Sequence, residues 1–95
     1  MKELLKELCA MSGAPGYEDE IRQRIQEHIR PYADQMIVDP LGNLLALKKG
    51  KAPRKAPMMV CAHMDEVGFL ITRVTEDGMF KLAAAGGVDP RVLVG

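Results

Sequence analysis

Met58-Met59-Val60-Cys61-Ala62-His63-Met64-Asp65-Glu66 is the stretch whose reading decides the fold. Pro57 leads into an unbroken apolar run, and a histidine and two carboxylates end it. A short continuous apolar run reads as a strand buried on both faces, as in the core of a parallel sheet. In open α/β sheets ligands bind beyond the carboxyl ends of the strands. His63 is delivered to such an end, where an imidazole nitrogen can meet a metal ion. If the extended run continues, residues 63 and 65 share one side. Asp65 then either ligates directly or holds the imidazole in one tautomer. The i+2 spacing suits an orienting carboxylate better than two crowded ligands. Alone, His-x-Asp recurs by chance. Glu66 reads as a ligand, a base or, more commonly after a strand, a solvated carboxylate. Cys61 reads as a buried strand thiol rather than half of a Cys-x-His pair, because no further Cys or His cluster accompanies it.

Upstream of this run, Leu4, Leu5, Leu8, Cys9 and Met11 form one helical stripe over residues 2–11. Ser12-Gly13-Ala14-Pro15-Gly16 breaks that helix. A second helix is predicted over residues 17–29. Glu18, Asp19 and Glu20 sit at the positive end of its dipole, and Ile21, Ile25 and Ile29 mark its buried side. Pro31 ends it, and His28 falls late on it, expected at the surface. Met36, Ile37 and Val38 form a short strand. Asp39-Pro40-Leu41-Gly42 has the residues of a type I turn, and Leu44–Leu47 returns as a hairpin. A loop follows over residues 48–57, with Lys48, Lys49, Lys51, Arg54 and Lys55 but no aromatic residue to stack on a base. Downstream, residues 69–74 and 79–84 read as strands joined at Glu76-Asp77-Gly78. Helices followed by mixed strands define an α/β core leading into a β-rich part.

Composition is that of a globular chain, with 47% hydrophobic and 27% charged residues, so disorder is not expected. Thirteen basic residues balance thirteen acidic ones, which predicts no general attraction to nucleic acid or an anionic membrane. Residues 1–11 contain no apolar core of a secretory leader, and no run approaches the length of a membrane span. Cys9 and Cys61 are therefore expected as unpaired, reduced thiols of a cytoplasmic protein. The chain stops within the apolar run Val92-Leu93-Val94-Gly95, which reads as a truncation. Ninety-five residues would be marginal as a free-standing domain.

Four stretches together carry a family resemblance. Ser12-Gly13-Ala14-Pro15-Gly16-Tyr17-Glu18, Asp39-Pro40-Leu41-Gly42-Asn43-Leu44, Ala62-His63-Met64-Asp65-Glu66-Val67-Gly68-Phe69 and Gly86-Gly87-Val88-Asp89-Pro90-Arg91-Val92-Leu93 resemble the M42 metallo-aminopeptidases in order and spacing. The resemblance implies an α/β catalytic domain beginning with residues 1–68. It also implies a β-barrel dimerisation domain inserted into that one, beginning with residues 69–95. His63 becomes a ligand of one of two divalent metal ions (zinc or cobalt), with Asp65 as its supporting carboxylate. The implied partners are peptide substrates and further copies of the chain, in a dimer-based shell. The family's bridging Asp, general-base Glu and remaining ligands have no counterpart in these 95 residues, so the chain alone is expected to be inactive. A non-catalytic folding or interaction module is the rival reading. A glycoside hydrolase ranks lower, because that chemistry needs two carboxylates flanking the bond.

Overall fold

Two of the expected turns are dictated locally, and they shape the molecule most visibly. The computed structural model describes residues 1–52 and 56–93. Strands β1 (Gln35–Val38) and β2 (Leu44–Leu47) pair antiparallel, with Val38 opposite Leu44 and Gln35 opposite Leu47. Strands β3 (Gly68–Val74) and β4 (Phe80–Ala85) form a second antiparallel hairpin, from Gly68 opposite Ala85 to Val74 opposite Phe80. The two turns share one design. The Gly42 N–H donates to Asp39 O at 3.0 Å, and the Gly78 N–H donates to Thr75 O at 3.0 Å. Both glycines adopt the left-handed conformation, at φ 85° and 83°, which costs other residues about 1–2 kcal/mol. The side chain of each turn's first residue also accepts from the returning strand. Asp39 Oδ1 takes the Asn43 N–H at 2.9 Å, and Thr75 Oγ1 takes the Met79 N–H at 3.0 Å. Between Ile71 and Arg73 the β3–β4 register shifts, and the Thr72 hydroxyl donates to Lys81 O at 3.1 Å.

Helix α1 (Lys2–Cys9) and helix α2 (Asp19–Ile29) precede the hairpins. Pro31 sits in the first turn of a 3-10 segment, Arg30–Tyr32, so the α-helix stops at Ile29 as its sequence requires. The two helices meet through charge. Glu7 of α1 pairs with Arg24 of α2, which also holds Glu27 at 2.7 Å. Arg24 is the main reason the Glu7 carboxyl lies below the usual carboxylate range. The His28 imidazole is half-buried here, with Nε2 shut off from solvent 3.4 Å from Glu7 Oε2. The expected surface position holds only in part: the Glu7 carboxylate of α1 sits against one edge of the ring.

The core is small. Ile21 is the one buried hydrophobic side chain among the described residues, at 8% exposure. Ile25 and Ile29 are half-buried on the same helix face. Described residues span 63 × 31 × 22 Å, with a radius of gyration of 18.1 Å. A compact domain of this length would have a radius of about 12 Å. The architecture is α/β in content, but the expected two-face-buried strand is corrected. Residues 58–62 form no strand ladder, and Met58, Met59 and Val60 are 73%, 82% and 87% exposed. Cys61 is accordingly exposed rather than buried, and so is Cys9, both as free thiols. An apolar run becomes a strand only when a neighbour supplies the ladder, and no described segment does. Both sheets are two-stranded and antiparallel, so no parallel sheet occurs among the described residues. The basic loop expected over residues 48–57 lies partly outside the described residues.

Gly78 has open space where a β-carbon would go, so Gly78→Ala isolates backbone strain from packing. The variant should destabilise the β3–β4 hairpin by about 1 kcal/mol, read as lost amide-exchange protection at Thr75 and Phe80. Gly87→Ala, also in open space and without a left-handed φ, should leave protection unchanged.

Candidate metal centre

His63 lies at the end of the unpaired apolar run, where a loop between the helices fixes the backbone. Ala14-Pro15-Gly16-Tyr17 closes a turn, with the Tyr17 N–H donating to Ala14 O at 2.8 Å and Gly16 at φ 86°. Pro at the second and a left-handed Gly at the third position give a type II turn. Glu18 Oε1 accepts the Gly16 N–H at 2.7 Å and so locks this loop onto the start of α2. The loop then reaches the site. The Glu66 N–H donates to Gly13 O at 2.8 Å. Gly13 is buried, and a β-carbon there would lie 3.3 Å from Met64 O and 3.5 Å from Ile21 Cγ2. Two stretches that are distant in sequence are thus one physical unit.

Within that unit the His63 ring is turned toward Asp65. Nδ1 lies 3.0 Å from the Asp65 main-chain oxygen and 3.2 Å from Oδ1. Both partners are acceptors, so in the neutral imidazole the proton resides on Nδ1. Nε2 then carries the lone pair that a metal ion requires. The ring is 85% exposed and the Asp65 side chain 43%, so no protein atom crowds the ring away from a ligand. These two residues fit one imidazole ligand with its orienting carboxylate. They do not make a full site: among the described residues no three His, Cys, Asp or Glu side chains cluster to hold a metal ion.

A cleft of about 170 Å³ opens beside the histidine. Ala62, His63, Met64 and Asp65 line it, together with Glu18 and the β1–β2 turn residues Leu41, Gly42 and Asn43. The sequence pointed to His63 and Asp65 as candidates but not to Glu18 and the turn that share their cleft. Only the co-occurrence of the three stretches signalled it, since no spacing rule joins residues 18, 41 and 63. Behind the His63–Glu66 segment lies a second, more apolar cleft of about 210 Å³, which Leu8, Met11, Ile21 and Ile25 line. Glu66 is exposed, and its backbone rather than its carboxylate is what the structure uses.

The turn wall is held by Asp39. Oδ2 accepts from Asn43 Nδ2 at 2.8 Å, and Oδ1 accepts the N–H groups of Asn43 and Leu41 at 2.9 and 3.0 Å. These bonds, the Asn43 side chain foremost, hold the Asp39 carboxyl below the usual carboxylate range.

This combination places the chain in a class. A histidine with a free Nε2, oriented by a carboxylate two residues on, stands at the end of an unpaired apolar run and is braced by a Gly-rich turn before a helix. The family pattern described as M42 glutamyl aminopeptidase matches residues 42–95. The chain belongs to the M42 family. It is similar to the lysyl aminopeptidase of Pyrococcus furiosus, 37% identical over 93 residues, or 97% of this chain and 26% of that protein. Among solved structures it resembles the TET aminopeptidase of a marine sediment Thaumarchaeota archaeon, with a TM-score of 0.87 and 35% identity. That match covers 99% of this chain and 26% of the other. It also resembles a Thermotoga maritima protein described as an endoglucanase, with a TM-score of 0.86 and 44% identity, covering 94% of this chain and 28% of the other. The chain spans about a quarter of the length of these relatives. No helix among the described residues is long and apolar enough to cross a membrane.

Because the folded Asp39 value is lowered, its carboxylate stabilises the turn above the unfolded value, and that contribution is lost as pH falls through the folded value. A carbon-detected NMR titration of Asp39 should give a midpoint below that of the same carboxyl in an unfolded peptide of residues 35–47. Asn43→Ala should move the midpoint up toward the peptide value. Equal midpoints in chain and peptide would show that the carboxylate does not cap the turn.

Proposed function

We propose that the intact protein carrying this chain is a two-metal aminopeptidase that releases N-terminal residues from peptides. The observation that carries this reading is the His63 tautomer. Two Asp65 acceptors on Nδ1 leave the Nε2 lone pair free on a histidine that lines the cleft of an M42 chain. In this reading His63 ligates one of two divalent ions, zinc or cobalt, and Asp65 acts through the imidazole rather than on the metal. The ions supply polarisation of the scissile carbonyl and activation of water. The residues of this chain supply orientation. Asp65 fixes the ring in one tautomer, the Glu66–Gly13 bond fixes the backbone beneath it, and the Leu41–Asn43 wall borders the space for substrate. Residues 1–68 belong to the catalytic domain and residues 69–95 begin an inserted β-barrel used for dimerisation, the basis of a larger cytoplasmic shell. The remaining ligands and the general base come from outside these 95 residues.

Glycoside hydrolysis is the reading that the Thermotoga maritima relative's name suggests. The two carboxylates lining the cleft argue against it here. Asp65 is engaged by His63, and Glu18 by the Gly16 N–H, so neither stands free to protonate or attack a glycosidic bond.

Purified intact protein should cleave aminoacyl-p-nitroanilides and short peptides from the N-terminus, lose that activity to a chelator and regain it with zinc or cobalt. His63→Ala should abolish activity, while Asp65→Ala should lower it by about 10–100-fold, the usual effect of removing a ligand's orienting partner. No release of N-terminal residues from a broad panel by the metal-loaded protein would overturn the proposal. The 95-residue chain alone should match a blank in the same assay, because a catalytic zinc normally needs three protein ligands.

A further inference from the structure

The cleft beside His63 has two walls, and only one of them is held by the Gly13–Glu66 bond. The other is the tip of the β1–β2 hairpin, closed internally by Asp39. Arg22 ties that tip to helix α2. Its side chain is only 14% exposed. Nη1 donates to Gly42 O at 3.0 Å, and Nη2 pairs with Asp19 one turn earlier on the same helix. Asp19 itself is 90% exposed, so it steers the guanidinium while the hairpin receives the directed bond. The fit on the hairpin side is close. A β-carbon at Gly42 would lie 2.9 Å from Arg22 Nη1, so the guanidinium packs directly against the turn backbone. Glu18, which begins α2 and lines the same cleft, joins that helix to the loop carrying Gly13. Helix α2 therefore braces both walls at once: through its first residues the His63 wall, and through Arg22 the Leu41–Asn43 wall.

We propose that Arg22 is a positioning residue for substrate, acting through Gly42 to set the distance between the turn and His63. The assignment rests on the aminopeptidase reading above and deepens it. A planar fork fixed by Asp19 and aimed at one carbonyl holds the turn in orientation as well as distance, which a lysine cannot reproduce fully. His63 and Asp65 keep their own support from Gly13, so Arg22 governs substrate fit and leaves metal binding alone.

The test uses the intact, zinc-loaded protein and an aminoacyl-p-nitroanilide that the wild type cleaves. Arg22→Met should raise KM about five-fold, the effect of one lost hydrogen bond to an ordered carbonyl, with kcat within about two-fold. Zinc content per chain should equal that of the wild type. Arg22→Lys should recover part of the KM loss. Asp19→Ala, which removes the partner that orients the fork, should raise KM less, and the double variant Arg22→Met with Asp19→Ala should be no worse than Arg22→Met alone. Should Arg22→Met fail to fold by circular dichroism, Arg22→Lys and Asp19→Ala carry the comparison. Unchanged KM in the folded variants, additive effects in the double variant, or kcat and zinc content falling together would each overturn the role of Arg22 alone. A wild type that cleaves none of the panel would overturn the aminopeptidase reading, and this role with it.

Discussion

One main-chain hydrogen bond holds the candidate site of this chain in place: the Glu66 N–H to Gly13 O, at 2.8 Å. A bond of this kind is worth about 1 kcal/mol net, which is little by itself. Its position gives it leverage. Residues 58–62 before it make no ladder, and β3 begins just after it at Gly68. The four residues from His63 to Glu66 are therefore anchored by what they touch in the Gly13 loop and by nothing from a sheet. Gly13 is closely flanked here, with Met64 O on one side, tight against any added β-carbon, and Ile21 on the other. The one buried hydrophobic side chain among the described residues, the helix entry and the candidate ligand thus meet at one point.

From that point the chemistry of His63 follows. An exposed histidine would normally sample many ring orientations. Here the main-chain and side-chain oxygens of Asp65 converge on Nδ1, so one nitrogen is occupied and the other is left as a donor of electrons. The cleft beside it is bounded by a turn that carries its own internal scaffold. Asp39 gathers three N–H groups, and Arg22 fastens the Gly42 carbonyl from the helix side. Small polar devices, not a hydrophobic core, set this geometry. The apolar surface left bare on residues 58–60 and on Phe69, Ile71 and Leu82 is more than an isolated small domain usually exposes. The relatives, about four times as long, have further chain with which to cover the equivalent surface.

What could be read from the sequence was whatever local chemistry decides. Both hairpins were legible because Asp39-Pro40-Leu41-Gly42 and Glu76-Asp77-Gly78 specify their turns within a few residues. The end of α2 was legible from Pro31. The His63–Asp65 pairing was legible from its spacing, since two residues apart is within side-chain reach. The misreadings share one cause. Residues 58–62 have the composition of a buried strand, but burial depends on partners elsewhere, so Cys61 came out exposed. His28 was only partly legible, because helix periodicity does not reveal that α1 brings Glu7 across to it. The cleft was not legible either, because Glu18, Leu41 and His63 are joined only by the folded path of the chain. The sequence motifs marked each wall of the site without showing that the walls face one another.

The central claim is that His63 binds a metal ion through Nε2 while Asp65 stays on Nδ1. A crystal structure of the intact, zinc-loaded protein tests it most directly. The account predicts His63 Nε2 at about 2.0–2.1 Å from a zinc ion, the zinc–nitrogen bond length, with Asp65 still within hydrogen-bond distance of Nδ1. A zinc ion bound away from His63, or an Asp65 oxygen within about 2.2 Å of the metal, would contradict it.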